Sequence, residues 1–72
     1  MLNIGIIGYG YWGPNIVRNF NSADGAKVVS ISDRDPEALK KAVRAYPHVE
    51  AFRSHESLVR SRKVDAVCIV TP

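Results

Sequence analysis

Residues 2–20 read LNIGIIGYGYWGPNIVRNF. Leu2 to Ile7 is a short apolar run, interrupted only by Asn3 and Gly5, and it reads as a buried β-strand. Gly8, Gly10 and Gly13 follow, with Tyr11 and Trp12 wedged between the second and third. Pro14 stands where a helix should begin, because its missing N–H would be unpaired in a first turn anyway. Ile16, Val17 and Phe20 then recur at helical spacing and give one apolar stripe. Small residues set among large ones in a tight turn imply that something approaches the backbone closely there.

The rest of the chain repeats this alternation. Asp24-Gly25 is a turn signal that closes the first helix. Lys27 to Asp33 (KVVSISD) is rich in β-branched residues and reads as a second strand. Asp35-Pro36-Glu37 is a strong helix start, with a capping carboxylate, a proline in the first turn and an acid behind it. Leu39, Ala42, Val43 and Tyr46 continue as an apolar face until Pro47. Glu50 to Phe52 is long enough only for a weak edge strand. Ser54 suits the cap of a third helix running to about Arg62, with Leu58 and Val59 facing inward. Asp65 to Val70 (DAVCIV) is a fourth, continuously apolar strand. The order βαβαβαβ with short connections argues for an α/β fold with right-handed crossovers. The expected architecture is a four-stranded parallel sheet with helices on both faces.

Size and composition bound the alternatives. The 72 residues form at most one domain, with a thin core that hides roughly 60% of the unfolded surface. Cys68 is the single cysteine, so an internal disulfide is excluded, and one Cys with two scattered His has no metal-ligand spacing. The apolar runs are too short to cross a bilayer, and the start lacks the pattern of a secretory signal. A reduced, cytoplasmic setting is expected, with neither membrane nor nucleic acid as partner. The net charge of +3 is spread along the chain. Its tightest basic group, Arg60, Arg62 and Lys63, falls at an expected helix end, where cations complement the dipole. A mild positive excess also suits an anionic small ligand.

Gly8, Gly10 and Gly13 form G-x-G-x-x-G. Alone the pattern is weak, but here it follows a strand and opens a helix, and Asp33 lies 20 residues beyond Gly13 at the end of the second strand. Each residue then has a task. Gly8 permits the tight turn, Gly10 lets a pyrophosphate lie against bare backbone, and Gly13 lets the helix pack close. Tyr11 and Trp12 offer backbone N–H groups at the helix N-terminus, with their rings free to turn away from the phosphates. Asp33 should accept hydrogen bonds from a ribose 2′-hydroxyl, which favours NAD over NADP. Arg34 beside it suits a 2′-phosphate, an adenine face or plain solvent equally, so NADP stays open. The competing bland reading is a strand–turn–helix that binds nothing. His48 and His55 read as exposed loop and helix-start residues, Cys68 as a small hydrophobe in a strand. Trp12 also suits a staple against a neighbouring domain. No nucleophile–base or paired-carboxylate arrangement stands out.

Three segments, NIGIIGYGYWGPNIVRNF, SISDRDPEAL and VDAVCIVTP, together resemble the N-terminal Rossmann domain of the glucose-fructose oxidoreductase / inositol dehydrogenase / MocA family. The GYGYWGPN variant is most similar to sugar or nucleotide-sugar dehydrogenases of that family. The resemblance covers essentially the whole chain and implies a partial Rossmann fold, with the strands of the parallel sheet in the order 3-2-1-4. It implies that Gly8, Gly10, Tyr11, Trp12 and Gly13 line the pyrophosphate and that Asp33 and Arg34 meet the adenosine ribose. It further implies that Thr71 and Pro72, at the end of the fourth strand, lie beside the cofactor. The implied activity is hydride transfer between a nicotinamide dinucleotide and a sugar, nucleotide-sugar or polyol hydroxyl. Family members continue for a few hundred residues, through a Glu-Lys-Pro segment carrying the catalytic lysine and a substrate-binding domain. Residues 1–72 are therefore expected to be an NAD(P)-binding fragment, without turnover of its own and prone to self-association or homo-oligomer formation through its fourth strand. A non-catalytic nucleotide-sensing module is the alternative from another functional class.

Overall fold

The computed structural model describes residues 1–10 and 12–70. Seven elements follow one another: β1 (Leu2–Ile7), α1 (Gly13–Ser22), β2 (Ala26–Ser32), α2 (Pro36–Ala45), β3 (Glu50–Phe52), α3 (His55–Val59) and β4 (Ala66–Ile69). The four strands form one sheet in the order β3-β2-β1-β4, every pair parallel, as expected from the alternation of elements. The expected Rossmann-type architecture is thus present.

The sheet sorts its residues by pleat. Ile4 and Ile6 of β1 join Val28 and Ile31 of β2, Val17 of α1 and Leu39 and Ala42 of α2 in one core cluster. Gly5, on the opposite face of β1, lies beneath α3: a Cβ there would stand 2.7 Å from Leu58 Cδ2 and 3.1 Å from Val64 Cγ1. This is the arrangement right-handed crossovers impose, with α1 and α2 on one face and α3 on the other. The glycine that interrupts the apolar run of β1 is thus the seat of Leu58, which is fully buried.

A β-bulge separates Ile4, which pairs with Val28, from Gly5, which pairs with Ser30. It keeps both Val28 and Ile31 on the α1/α2 face, although their odd spacing would otherwise put them on opposite faces. The Val28 N–H is taken up by Asn21 Oδ1 of α1 at 2.9 Å, which ties the helix to the start of β2. At the other side of the sheet, Asp65 N–H donates to the Asn3 carbonyl and Asn3 N–H donates back to Asp65 Oδ2, both at 2.8 Å. These two bonds set where β4 begins.

Capping follows the sequence for α2 and α3. Asp35 Oδ1 accepts from Glu37 N–H at 3.0 Å, and Ser54 Oγ accepts from Ser57 N–H at 3.1 Å. Three expectations are corrected. Helix α3 stops at Val59 instead of reaching Arg62, because the chain tightens into a turn in which Ser61 N–H meets the Leu58 carbonyl. A helix this short presents little more than one side chain to the sheet, so Leu58 is buried while Val59 is 57% exposed. Val43 is likewise exposed, since the three-residue β3 offers α2 a narrow seat that Leu39 and Ala42 already fill. On β4, Val67 and Ile69 are also exposed, so the helices cover both faces over β1 and β2 but not over this edge.

Candidate functional site: a cleft at the carboxyl edge of the sheet

The carboxyl ends of the strands open into a cleft of about 1080 Å³. Gly8, Gly10, Trp12, Asp33 and Arg34 line it, so the sequence-predicted residues from two separate segments meet in one place. Tyr11, Thr71 and Pro72, the remaining predicted contacts apart from Gly13, lie outside the described residues.

The glycine loop is held by bonds to β2. Gly8 adopts a φ of 98°, a left-handed conformation that side chains disfavour, and this turns the chain out of β1. Its N–H donates to the Ser32 carbonyl at 2.8 Å. The next N–H, that of Tyr9, donates to Asp33 Oδ2, also at 2.8 Å. Asp33 Oδ1 in turn accepts from the Asp35 N–H at 2.9 Å. The carboxylate is therefore fixed at the cleft wall by one donor on each oxygen. Each oxygen keeps acceptor capacity for a further hydroxyl.

The three glycines have different neighbours. At Gly10 a Cβ would meet nothing within 4 Å, so the backbone there faces open space in the cleft. At Gly13 a Cβ would lie 3.1 Å from the Gly8 carbonyl oxygen and 3.3 Å from Tyr9 Cδ1. The sequence expectation was close packing of helix and sheet at Gly13. The contact that demands glycine is with the loop itself, whose first turn folds over the start of α1. Tyr9, the residue between the first two glycines, is buried in the core cluster. Burial, and secondarily Tyr46 nearby, raise its phenol above the ordinary value.

Helix α1 points its N-terminus at the cleft. Its N-cap is Trp12, which provides no side-chain capping bond, whereas Asp35 and Ser54 cap the other two helices with oxygens. The first intrahelical bond runs from Ile16 N–H to the Trp12 carbonyl. The N–H groups of Gly13 and Asn15 thus precede it and belong to the electropositive end of the helix. An anion on the open side of Gly10 suits this geometry, so the residues present fit a diphosphate.

Two ionisable cleft residues escaped the sequence reading. Arg53 lines the cleft directly after β3, and His55, expected to be merely exposed, lines it at the start of α3. Their signal was positional: in open α/β sheets ligands bind beyond the carboxyl ends of strands, and Arg53 occupies the position after β3 that Asp33 occupies after β2. His55 Nε2 lies 3.7 Å from Glu56 Oε1. Cys68 is half-buried against the core cluster, as a small hydrophobe would be. Among the described residues no group of three or more His, Cys, Asp or Glu gathers to hold a metal ion. No helix among them is long and apolar enough to cross a membrane.

A parallel sheet with a glycine turn, a helix N-terminus facing the cleft and a carboxylate locked beside it defines the class of dinucleotide-binding Rossmann domains. The family model described as an oxidoreductase family with an NAD-binding Rossmann fold matches residues 2–72, and the chain belongs to that glucose-fructose oxidoreductase / inositol dehydrogenase / MocA family. The 2,7-anhydro-N-acetylneuraminate hydratase of Escherichia coli K12 is 35% identical over 72 residues, which are all of this chain and 18% of that protein. The crystal structure of myo-inositol dehydrogenase from Lactobacillus casei with NAD(H) and myo-inositol superimposes with a TM-score of 0.91 at 30% identity, over 99% of this chain and 22% of that one. The WlbA dehydrogenase of Bordetella pertussis, in complex with NADH and UDP-GlcNAcA, gives a TM-score of 0.87 at 29% identity, over 99% of this chain and 22% of that one. The chain spans about a fifth of the length of these relatives.

Proposed function

We propose that residues 1–72 form the cofactor-binding part of an NAD-dependent oxidoreductase acting on a sugar, nucleotide-sugar or polyol hydroxyl. The observation that carries this is the bond from the Tyr9 N–H to Asp33 Oδ2. It joins the loop suited to a diphosphate to the carboxylate suited to a ribose, at a spacing a dinucleotide bridges. Gly8, Gly10, Tyr11, Trp12 and Gly13 surround the diphosphate, with the first turn of α1 donating to it. Asp33 accepts from the ribose hydroxyls and Arg34 flanks the adenosine. Thr71 and Pro72 follow β4, which pairs with β1 and so ends next to Gly8. We assign Thr71 and Pro72 to the cofactor site on the family resemblance.

When bound, the nicotinamide supplies a hydride acceptor or donor. The residues of this chain bind and orient it. The proton-handling group and the substrate pocket belong to the parent protein's remaining length. The names of the relatives favour this division, because a hydratase and two dehydrogenases share this domain with the chain. The net reaction and the substrate are then decided outside it. A cytoplasmic setting, where nicotinamide dinucleotides are abundant, fits the same reading.

Calorimetric titration with NAD, NADP and ADP-ribose tests the proposal. ADP-ribose and NAD should bind with similar affinity, since both carry the adenosine diphosphate half. Asp33→Ala should weaken NAD by about 10- to 100-fold, the worth of hydrogen bonds to a charged group. It should also shift the balance toward NADP. An Asp33→Ala variant with unchanged preference, or a chain that binds none of the three, would overturn the assignment. Sugar oxidation by residues 1–72 alone would contradict the division of labour.

A further inference from the structure

The end of β3 brings a second cation to the ribose-binding wall. Ser32 and Phe52 are register partners, and the Asp33 N–H donates to the Phe52 carbonyl at 3.1 Å. Asp33 and Arg53 are therefore the next pair outward, one strand spacing of about 4.8 Å apart at the backbone. Both line the cleft, together with Arg34. Its charged lining among the described residues is thus one carboxylate against two guanidiniums, with the His55 imidazole beside them. Among the described residues, the ion pairs join Lys40 to Glu37, His55 to Glu56 and Lys63 to Glu50, so neither Arg34 nor Arg53 is neutralised by a carboxylate. Asp33, by contrast, already accepts one backbone N–H on each oxygen. The wall beside the ribose is net positive, although the residue facing the sugar is acidic.

We propose that Arg53, acting with Arg34 across Asp33, is a specificity-determining residue that grips a phosphate on the ribose 2′ position. The chain then takes the 2′-phosphorylated dinucleotide as well as NAD. The inference rests on the assignment of the cleft as a dinucleotide site. Arg53 approaches from the β3 side and Arg34 from the β2–α2 turn, so a phosphate between them meets two planar donor sets. Guanidinium geometry favours such an anion over a lone hydroxyl. The repulsion expected from Asp33 is offset by two cations instead of one. Cofactor choice is therefore shared between two strand ends and is not decided by Asp33 alone.

The test compares NAD with NADP, and 5′-AMP with 2′,5′-ADP, by calorimetry on residues 1–72, in the original sequence and as Arg53→Gln. Arg53 is exposed, so circular dichroism should report the same fold for both. The expected result is a ratio of NADP to NAD affinity that falls by about 10- to 100-fold in Arg53→Gln, with a parallel fall for 2′,5′-ADP relative to 5′-AMP. The NADP affinity of the original sequence should also weaken more steeply with salt. A ratio that stays within about twofold, far below the worth of one charge-assisted bond, overturns the proposal while leaving the cleft as the NAD site. An equal loss for both dinucleotides overturns it too, since Arg53 would then serve the shared part. If neither dinucleotide binds the original sequence, the assignment of the cleft falls and this inference falls with it.

Discussion

At Gly10 and Gly13 the same residue type answers two different demands. A Cβ at Gly10 meets nothing within 4 Å, so the glycine is spared for something outside the chain. A Cβ at Gly13 meets the backbone carbonyl of Gly8 at 3.1 Å, so that glycine serves the loop's own packing. Gly10→Ala should leave the denaturation midpoint near that of the original sequence while NAD affinity falls about tenfold or more, the equivalent of about 1.4 kcal/mol. Gly13→Ala should lose about 1–3 kcal/mol of stability, the range for overpacking against atoms that cannot yield freely. Chemical denaturation and calorimetry on the two variants separate these effects. Equal stability losses would mean that the open space at Gly10 is filled by the fold itself. The sequence already assigned Gly10 to bare backbone and Gly13 to close packing; what it did not reveal is that Gly13 packs against the carbonyl of Gly8. The Tyr9–Asp33 bond, spanning 24 positions, was hidden from any local reading, although the spacing had singled out the same acid.

The elements follow local rules until they meet. Helix α2 begins at Pro36 with the Asp35 cap and α3 follows the Ser54 cap, both as the sequence dictates. Where the expectations for α3 and the Val43 face failed, the cause was the size of the surface available for burial. Periodicity reports which residues could face a core, not how much core is there. Gly5 is the clearest case of an element shaped by a distant one. It looked like a flaw in β1 and turned out to receive Leu58 from α3. Gly5→Ala should therefore destabilise the chain by about 1–3 kcal/mol. That cost should shrink in a Leu58→Ala background, because the clashing methyl is gone. A double-mutant cycle by urea denaturation measures the coupling, and strictly additive losses would contradict the contact.

For the molecule as a whole, the edge of the sheet governs behaviour. Among the described residues β4 pairs with β1 on one side only, and Ile69 is 69% exposed beside an exposed Val67. A strand of this composition with a free side invites pairing with another chain. Residues 1–72 should therefore associate as concentration rises, and Ile69→Lys should shift them toward monomer in analytical ultracentrifugation. A clean monomer at every concentration would refute this. The sequence by itself determined the order of the elements, the parallel sheet, the glycine turn and the acid after β2, because hydrophobic period, turn residues and caps are local properties. Only the tertiary structure decided that Arg53 stands next to Asp33, that Gly5 seats Leu58 and that Val43, Val59 and Ile69 stay outside. Those facts depend on register and on the finite area of each packed surface, and neither is written in any short stretch of chain.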